Sequence, residues 1–143
     1  MQIVTAEREV FADDTVDMVV APGSEGVLGI LPRHAPLLTT LQPGVIRIKR
    51  GDSEEVMAVS GGFLQIARDQ VLVLADTAER EDELDEARAE DARRRAHEAI
   101  NDAVKSGQTL QAEAARIALR RAEVRITVVR RRRGPERPRP GPV

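Results

Sequence analysis

The feature that most constrains this chain is a change of residue pattern near Ala75. From Gln2 to Ala75, short runs of apolar and β-branched residues alternate with Gly, Pro and Asp at intervals of roughly ten residues, a spacing typical of β-sandwiches and barrels. Beyond Ala75, apolar residues recur at three-to-four-residue steps, which is the period of an α-helix. The sequence therefore predicts a β domain followed by helices.

Eight strands are predicted in the first part, and they cover residues 2–6, 15–21, 27–31, 37–41, 45–49, 54–59, 63–67 and 70–75. Turns are expected between them, because Gly and Asp accept unusual dihedral angles and Pro presets one. Two of these predicted turns lie at residues 43–44 and 61–62. Over the last four positions of the run 45–49, apolar and basic residues alternate, which places Ile46 and Ile48 in the core.

The second part predicts two helices of roughly twenty residues, joined by a short turn at Gly107. The predicted buried stripes are Ala87, Ala92, Ala96, Ala99, Ile100 and Ala103 on the first helix, and Leu110, Ala114, Ile117, Arg121, Val124 and Val128 on the second. Alanine buries little apolar area, so the two helices gain only modest stability from packing together. A hairpin held this weakly can exchange its contacts for those of a partner.

These patterns predict a β + α fold class. An N-terminal antiparallel β-barrel or sandwich over residues 1–80 is followed by a C-terminal antiparallel two-helix hairpin over residues 81–130. Residues 131–143 combine Arg with Pro and Gly. Because such a segment cannot bury a core, it is expected to be a disordered basic tail.

The composition excludes several kinds of site. The chain has no Cys and only two His, so disulfides, thiolate nucleophiles and a zinc ligand set are not expected. No phosphate-binding loop, nucleophile elbow or zinc-helix motif is present, and we expect no catalytic residue and no metal.

The sequence contains neither a signal peptide nor an apolar run near the ~20 residues of a membrane-spanning helix. Cytoplasmic residence, with membrane contact only through partners, is the expectation.

Charge is distributed unevenly along the helical part. Residues 81–91 hold seven acidic side chains, whereas residues 116–133 hold eight Arg and one Glu. The two ends of this region are expected to attract each other.

The Arg run also raises the alternative of nucleic-acid binding through phosphate contacts. An acidic β domain and only two aromatic residues argue against that alternative, because single strands are bound largely by stacking on aromatic rings.

Four arginines suggest an anion site at the hairpin. Arg88 and Arg95 share one face of the first helix, and Arg121 and Arg125 share one face of the second. Folding the chain back at Gly107 would place the first pair opposite the second. Such a cluster of guanidinium groups is unfavourable unless an anion lies among them. The alternative is that these are ordinary arginines on solvated helix faces.

Three blocks of sequence resemble the epsilon subunit of bacterial F-type ATP synthases. They are GILPRHAPLL at 29–38 with LQPG at 41–44, SGGFL at 60–64, and LADTAER at 74–80 leading into LDEARA at 84–89. Each block is a modest signal, but their order and spacing are specific. The resemblance extends over nearly the whole chain, to about Arg130.

The resemblance implies a non-catalytic subunit that couples two parts of a rotary machine. In the family, the β domain is a flattened β-barrel that docks on the gamma subunit and the membrane c-ring, at the cytoplasmic face of the membrane. Leu31, Pro32 and His34 match the loop that makes this rotor interface. The helical hairpin of the family is mobile, and when extended it reaches the catalytic alpha/beta head and inhibits ATP hydrolysis.

The resemblance also implies a regulatory ligand. The folded hairpin binds ATP in several family members, and no cofactor is required. The residues that match the family's ATP motif are Leu84, Asp85, Arg88 and Ala89, with further matches at Glu79, Arg95, Arg121 and Arg125.

Two positions depart from the family pattern. Arg33 stands where the family usually has Gly in the turn before the histidine, and Val27 stands where an acidic residue is common. The contacts of this loop with the rotor are therefore expected to differ in detail.

Overall fold

The computed structural model describes residues 1–133, and the predicted tail from 134 onward lies outside the described residues. The strands are β1 (Gln2–Val4), β2 (Glu9–Ala12), β3 (Met18–Gly23), β4 (Gly26–Ile30), β5 (Leu37–Arg50), β6 (Ser53–Ala67), β7 (Gln70–Ala75) and β8 (Ala78–Arg80). A 3₁₀ turn (Glu81–Glu83) leads into helix α1 (Glu86–Lys105), which is followed by helix α2 (Thr109–Arg133). Helix α2 thus runs three residues past the predicted end of the hairpin.

The strands form one sheet in the order β2-β1-β7-β6-β5-β3-β4, and β8 also pairs with β6. All the pairings are antiparallel except that of β1 with β7. The sheet does not close into a barrel, so of the two predicted forms of the β domain the sandwich is confirmed. None of the helices within residues 1–133 is long and apolar enough to span a bilayer.

The predicted turns at 43–44 and 61–62 are wrong. Predicted strands 37–41 and 45–49 are one strand, β5, and predicted strands 54–59 and 63–67 are one strand, β6. The ladder between them continues on both sides of these positions, with Leu41 opposite Gly62 and Pro43 opposite Ser60. Strands β2 and β8, which are only four and three residues long, were not predicted.

Gly62 allows β6 to continue through this region. Its φ is +126°, and a Cβ atom there would lie 2.1 Å from the carbonyl oxygen of Leu74 on β7. The residue is therefore required for a bend and a close backbone approach, not for a chain reversal. Strand β6 pairs with β7 from Gly62 onward and with β8 before Ser60, so the bend lies where β6 changes partners.

The core lies inside the sandwich, and Ile46 and Ile48 are both fully buried in it, as predicted. Other fully buried side chains come from strands β1, β6 and β7, and they are Ile3, Met57, Leu64 and Val73. Each is flanked along its strand by residues that are more exposed or that pack under the hairpin. The sandwich therefore has an inner apolar face and a separate outer face.

Helix α1 ends in a hydrogen-bonded cap at Gly107, which has φ +68°. The amide of Gln108 donates to the carbonyl of Ala103 (2.9 Å), and that of Gly107 donates to the carbonyl of Val104 (3.3 Å). This pair of bonds is a Schellman motif, in which a glycine takes the left-handed conformation. The predicted turn at Gly107 is confirmed.

The predicted helical stripes are partly wrong. The buried residues of α1 are Ala89, Ala96 and Ala103, and those of α2 include Ala115, Ala122 and Val129, all at seven-residue intervals. Leu110 and Ile117, which were predicted to be buried, are 83% and 47% exposed. Leu110 and Ile117 occupy a different position of the seven-residue repeat from the buried residues of α2, so they lie off the buried stripe.

Helix α2 packs on the outer face of the sandwich. Ala58 and Ser60 of β6 are buried beneath it although they do not belong to the inner core. Arg120 donates to the side-chain oxygen of Gln42 at 3.2 Å. The structure therefore represents the folded arrangement of the hairpin.

Candidate nucleotide site and docking surfaces

The linker between sandwich and hairpin is fixed by ionic contacts. The Glu83 carboxylate accepts hydrogen bonds from the Arg80 amide (2.9 Å) and from Arg8 Nη2 (2.7 Å). These two bonds, the backbone one foremost, hold the pKa of Glu83 below its usual range. Arg80 also donates to Glu55 (2.7 Å) and to the carbonyl of Val10 (2.6 Å). The chain is thus held on the sandwich up to the residue before Leu84.

Helix α1 begins at an aspartate cap. Asp85 has an extended backbone, and its Oδ1 accepts a hydrogen bond from the Arg88 amide at 3.2 Å. This bond satisfies one of the free amides of the first turn. The Arg88 guanidinium, in contrast, has no hydrogen bond or ion pair with any residue in the range 1–131, where side chains are described. It is exposed and available to a ligand.

A cleft of about 210 Å³ lies where the linker, α1 and α2 meet. The residues that line it are Glu79, Glu83, Leu84, Asp85, Arg88, Ala89 and Arg125. Six of the eight residues predicted for the ATP site are therefore brought together. Small-molecule pockets usually have volumes of about 300 to 1,000 Å³, so this cleft is small for a nucleotide in the present arrangement.

Within the cleft, Arg125 is paired with Glu79. Its Nε and Nη2 atoms both donate to Glu79 Oε1, at 2.8 and 2.5 Å. This pair offsets much of the positive charge that the sequence suggested for the site.

Arg121 lies next to the cleft in a separate small cavity. The cavity has a volume of about 10 Å³, and its lining includes Ser60, Thr77, Glu79 and Arg125. The Nε atom of Arg121 is buried and has no hydrogen-bond partner within the described residues. A volume of this size holds about one water molecule, and the hydroxyls of Ser60 and Thr77 would be suitable neighbours for it.

Arg95 lines neither of these cavities. Its side chain is 68% exposed, and its Nε lies 3.1 Å from Asp91 Oδ2 one turn earlier on α1. Three of the four predicted arginines are thus gathered at the base of the hairpin, and Arg95 is not among them.

The predicted rotor loop lines another pocket, of about 100 Å³, at one end of the sandwich. Leu31, Pro32 and His34 all contribute to it, together with the carboxylates Asp14, Asp17 and Asp69. Arg33 has φ +60°, and its amide donates to Asp69 Oδ1 at 2.7 Å. This left-handed backbone is the conformation that favours glycine.

An exposed apolar patch lies on the outer face of the sandwich, away from the hairpin contact. Phe63 of β6 is directly opposite Leu74 of β7, and the two are 54% and 50% exposed. Leu38 of β5, 71% exposed, lies on the same face. Half-buried Val4 and Leu72 extend the patch. We call these five residues the outer apolar face.

Sequence reasoning did not identify the outer apolar face, although a signal for it was available. Because Leu64 and Ile66 alternate as core residues, Phe63 must point to the other side of β6. Contiguous exposed apolar residues on a sheet usually mark an interaction surface.

Comparison with known proteins gives a consistent result. The beta-sandwich domain model of the ATP synthase delta/epsilon chain matches residues 1–81, and the long alpha-helix domain model of the same chain matches residues 82–130. A chain in the cryo-EM structure of the Euglena gracilis mitochondrial ATP synthase superposes with a TM-score of 0.75 at 20% identity. That alignment covers 85% of this protein and 75% of the other chain, and it shows the fold alone.

The sequence relatives are more similar. The ATP synthase epsilon chain of Herpetosiphon aurantiacus is 50% identical over 133 residues, which cover 93% of this chain and 95% of the relative. The epsilon chain of Dehalococcoides mccartyi is 51% identical over 133 residues, which cover 93% of each protein. With both family models matched in order and relatives about half identical along almost their whole length, the chain belongs to the ATP synthase delta/epsilon chain family, and its relatives are bacterial epsilon chains.

Proposed function

We propose that this protein is the central-stalk epsilon subunit of an F-type, proton-translocating ATP synthase. In this role its sandwich joins the gamma subunit to the c-ring at the cytoplasmic face of the membrane. The protein is non-catalytic and peripheral, and it reaches the membrane only through these partners.

The observation that carries this proposal is the outer apolar face. Phe63, Leu74 and Leu38 are half or more exposed although they lie on the ordered strands of a well-packed sandwich. Aromatic and large aliphatic side chains of this kind form the centres of stable protein interfaces. We assign the gamma subunit to this face, because it is broad, apolar and free of the hairpin.

The c-ring is assigned to the pocket of the predicted rotor loop, which is more polar than the outer apolar face. The pocket at Leu31, Pro32 and His34 is small and is bordered by three carboxylates. Such a surface fits short polar loops better than a broad apolar partner. The two docking surfaces would allow one sandwich to contact both partners at once.

The hairpin is proposed to inhibit ATP hydrolysis. Its helices meet largely through alanines, and among the described side chains the polar contacts that hold α2 on the sandwich are the ion pair of Arg125 with Glu79 and the hydrogen bond from Arg120 to Gln42. An arrangement with small buried side chains on α1 and few polar contacts to the sandwich can exchange these contacts for those of a partner. In the extended form, the Arg-rich α2 would contact the catalytic alpha/beta head.

ATP is proposed as a ligand that favours the folded hairpin. Support comes from the Arg88 guanidinium and the Nε of Arg121, which lie close to the cleft and have no hydrogen-bond partner among the described side chains. Binding requires the cleft to widen and Arg125 to exchange Glu79 for phosphate oxygens. A carboxylate such as Asp85 would be repelled by phosphates, so it would serve by capping α1 and positioning Arg88.

Co-purification tests the subunit assignment. Gamma co-expressed with this tagged chain should elute with it as a stoichiometric complex that survives moderate salt, because the proposed contact is apolar. Recovery of the chain without gamma, with both proteins soluble and folded, would contradict the assignment.

Two further experiments test the finer proposals. Removing the helices from Asp82 onward should raise ATP hydrolysis by the assembled enzyme, and unchanged hydrolysis would argue against inhibition.

Titration calorimetry on the isolated chain should show ATP binding that Arg88→Ala or Arg121→Ala weakens by roughly one to two decades, since a hydrogen bond to a charged group contributes about 1.5 to 3 kcal/mol. Arg116→Ala, at an exposed position remote from the cleft, is the matched control.

A further inference from the structure

One set of ionic contacts joins the two helices to each other and is separate from the contacts that hold them on the sandwich. Arg130, near the end of α2, approaches two carboxylates of α1. Its Nη2 lies 2.9 Å from Glu90 Oε1, and its Nε lies 3.5 Å from Glu86 Oε1. These contacts span the open end of the hairpin, opposite the turn at Gly107.

The contacts between α2 and the sandwich use other residues. Arg125 pairs with Glu79 of β8, and Arg120 donates to Gln42 of β5. Arg130 makes no ion pair with a sandwich residue in the described part of the chain. Separation of α2 from α1 and release of α2 from the sandwich therefore break different bonds.

The position of Arg130 has an electrostatic cause. Glu86 and Glu90 lie four residues apart on one face of α1, where like charges repel. The guanidinium placed beside both carboxylates offsets this repulsion while it links the helices. Because the buried residues of α1 are alanines at seven-residue intervals, which bury little area, an ionic contact at the end of this interface forms a larger share of the total than it would beside leucines.

We infer that Arg130, Glu86 and Glu90 form an electrostatic clasp that keeps the base of the hairpin closed, so that α1 and α2 leave the sandwich as one unit. Release of the clasp allows the end of α2 to separate from α1 while the turn at Gly107 remains intact. The clasp weakens as ionic strength rises, because its side chains are partly exposed. It concerns the hairpin alone and does not depend on the proposed inhibition or ATP binding.

Amide hydrogen exchange on the isolated full-length chain tests the clasp. At low salt, Arg130→Gln should accelerate exchange at both ends of the clasp, in residues 86–92 and 126–131, by about two- to fivefold, since a partly exposed ion pair contributes only modestly. Exchange near Gly107 should stay unchanged. In high salt the wild type should approach the variant.

A charge exchange and a matched control sharpen the test. The triple change Arg130→Glu, Glu86→Lys and Glu90→Lys should restore protection at both ends. Arg116→Gln, which removes an exposed pair with Glu113 inside α2, should leave these segments unaffected. The clasp would be overturned if Arg130→Gln left amide exchange unchanged or accelerated it equally over the sandwich. It would also be overturned if the triple charge swap did not restore protection.

Discussion

Arg125 donates through both Nε and Nη2 to a single oxygen of Glu79, and so ties the second helix to the last strand of the sandwich. The two side chains are 32% and 30% exposed, so water screens the pair only in part. Among the residues whose side chains are described, this is the one ion pair between α2 and the sandwich, and both residues line the cleft proposed for ATP.

Breaking this pair should loosen α2. We expect Glu79→Gln to lower the free energy of unfolding by about 1 kcal/mol. This loss lies between those expected for breaking a fully exposed and a fully buried ion pair. Calorimetric melting should record a midpoint lower by about 2 to 5 °C. Glu98→Gln, on the exposed side of α1, is the control, and equal melting of both variants would argue against a holding role for the pair.

Gly62→Ala should be severely destabilising, by about 3 kcal/mol or more, because a Cβ there would lie 2.1 Å from the Leu74 carbonyl oxygen. Gly26→Ala is the matched control, since its φ of +133° is similar but its Cβ would meet no atom within 4 Å. The control should lose only about 1 to 2 kcal/mol of stability, which is the cost of the strained backbone alone. Urea unfolding of both variants measures the difference, and similar losses would show that the close approach to β7 is unimportant.

Asp13 should contribute to acid stability. Hydrogen bonds from the hydroxyl and then the amide of Thr15, followed by one from Arg50, lower its pKa to about 2. Because this value is below the ~3.9 of an unfolded aspartate, the stabilisation is complete above about pH 4 and is lost as the pH falls through 2.

The variant Asp13→Asn should therefore show a smaller loss of stability between pH 4 and pH 2 than the wild type. Urea unfolding at several pH values measures this slope. Asp52→Asn, in the exposed turn between β5 and β6, should keep the wild-type slope. A wild-type slope in Asp13→Asn would contradict the proposed linkage.

The sequence predicted the main features of the fold where local pattern and tertiary packing agree. Alternation placed Ile46 and Ile48 correctly, and the glycine cap at Gly107 ended α1 where expected. Prediction failed at residues 43–44 and 61–62, because proline and glycine there lie within two paired, bent strands. Proline and glycine are found both at bends within strands and at turns between them, so the sequence alone does not distinguish the two.

The site was predictable only in part for a related reason. Helical spacing brought Arg88, Arg121 and Arg125 to the base of the hairpin, but it could not show that Glu79 pairs with Arg125. That contact joins residues 46 positions apart and depends on how α2 lies on the sandwich. The buried stripe of α2 was misplaced because helical periodicity alone does not reveal which face of a helix meets its neighbour.

The central claim is that the outer apolar face binds gamma, and the dissociation constant of the purified chain with gamma tests it most directly. Phe63→Asp should weaken binding by at least about thirtyfold, because burying a charge at the centre of an apolar contact costs 2 kcal/mol or more. Leu110→Asp, which makes the same kind of change at an 83% exposed position on the hairpin, should bind gamma as the wild type does. Equal affinity of the two folded variants would contradict the account.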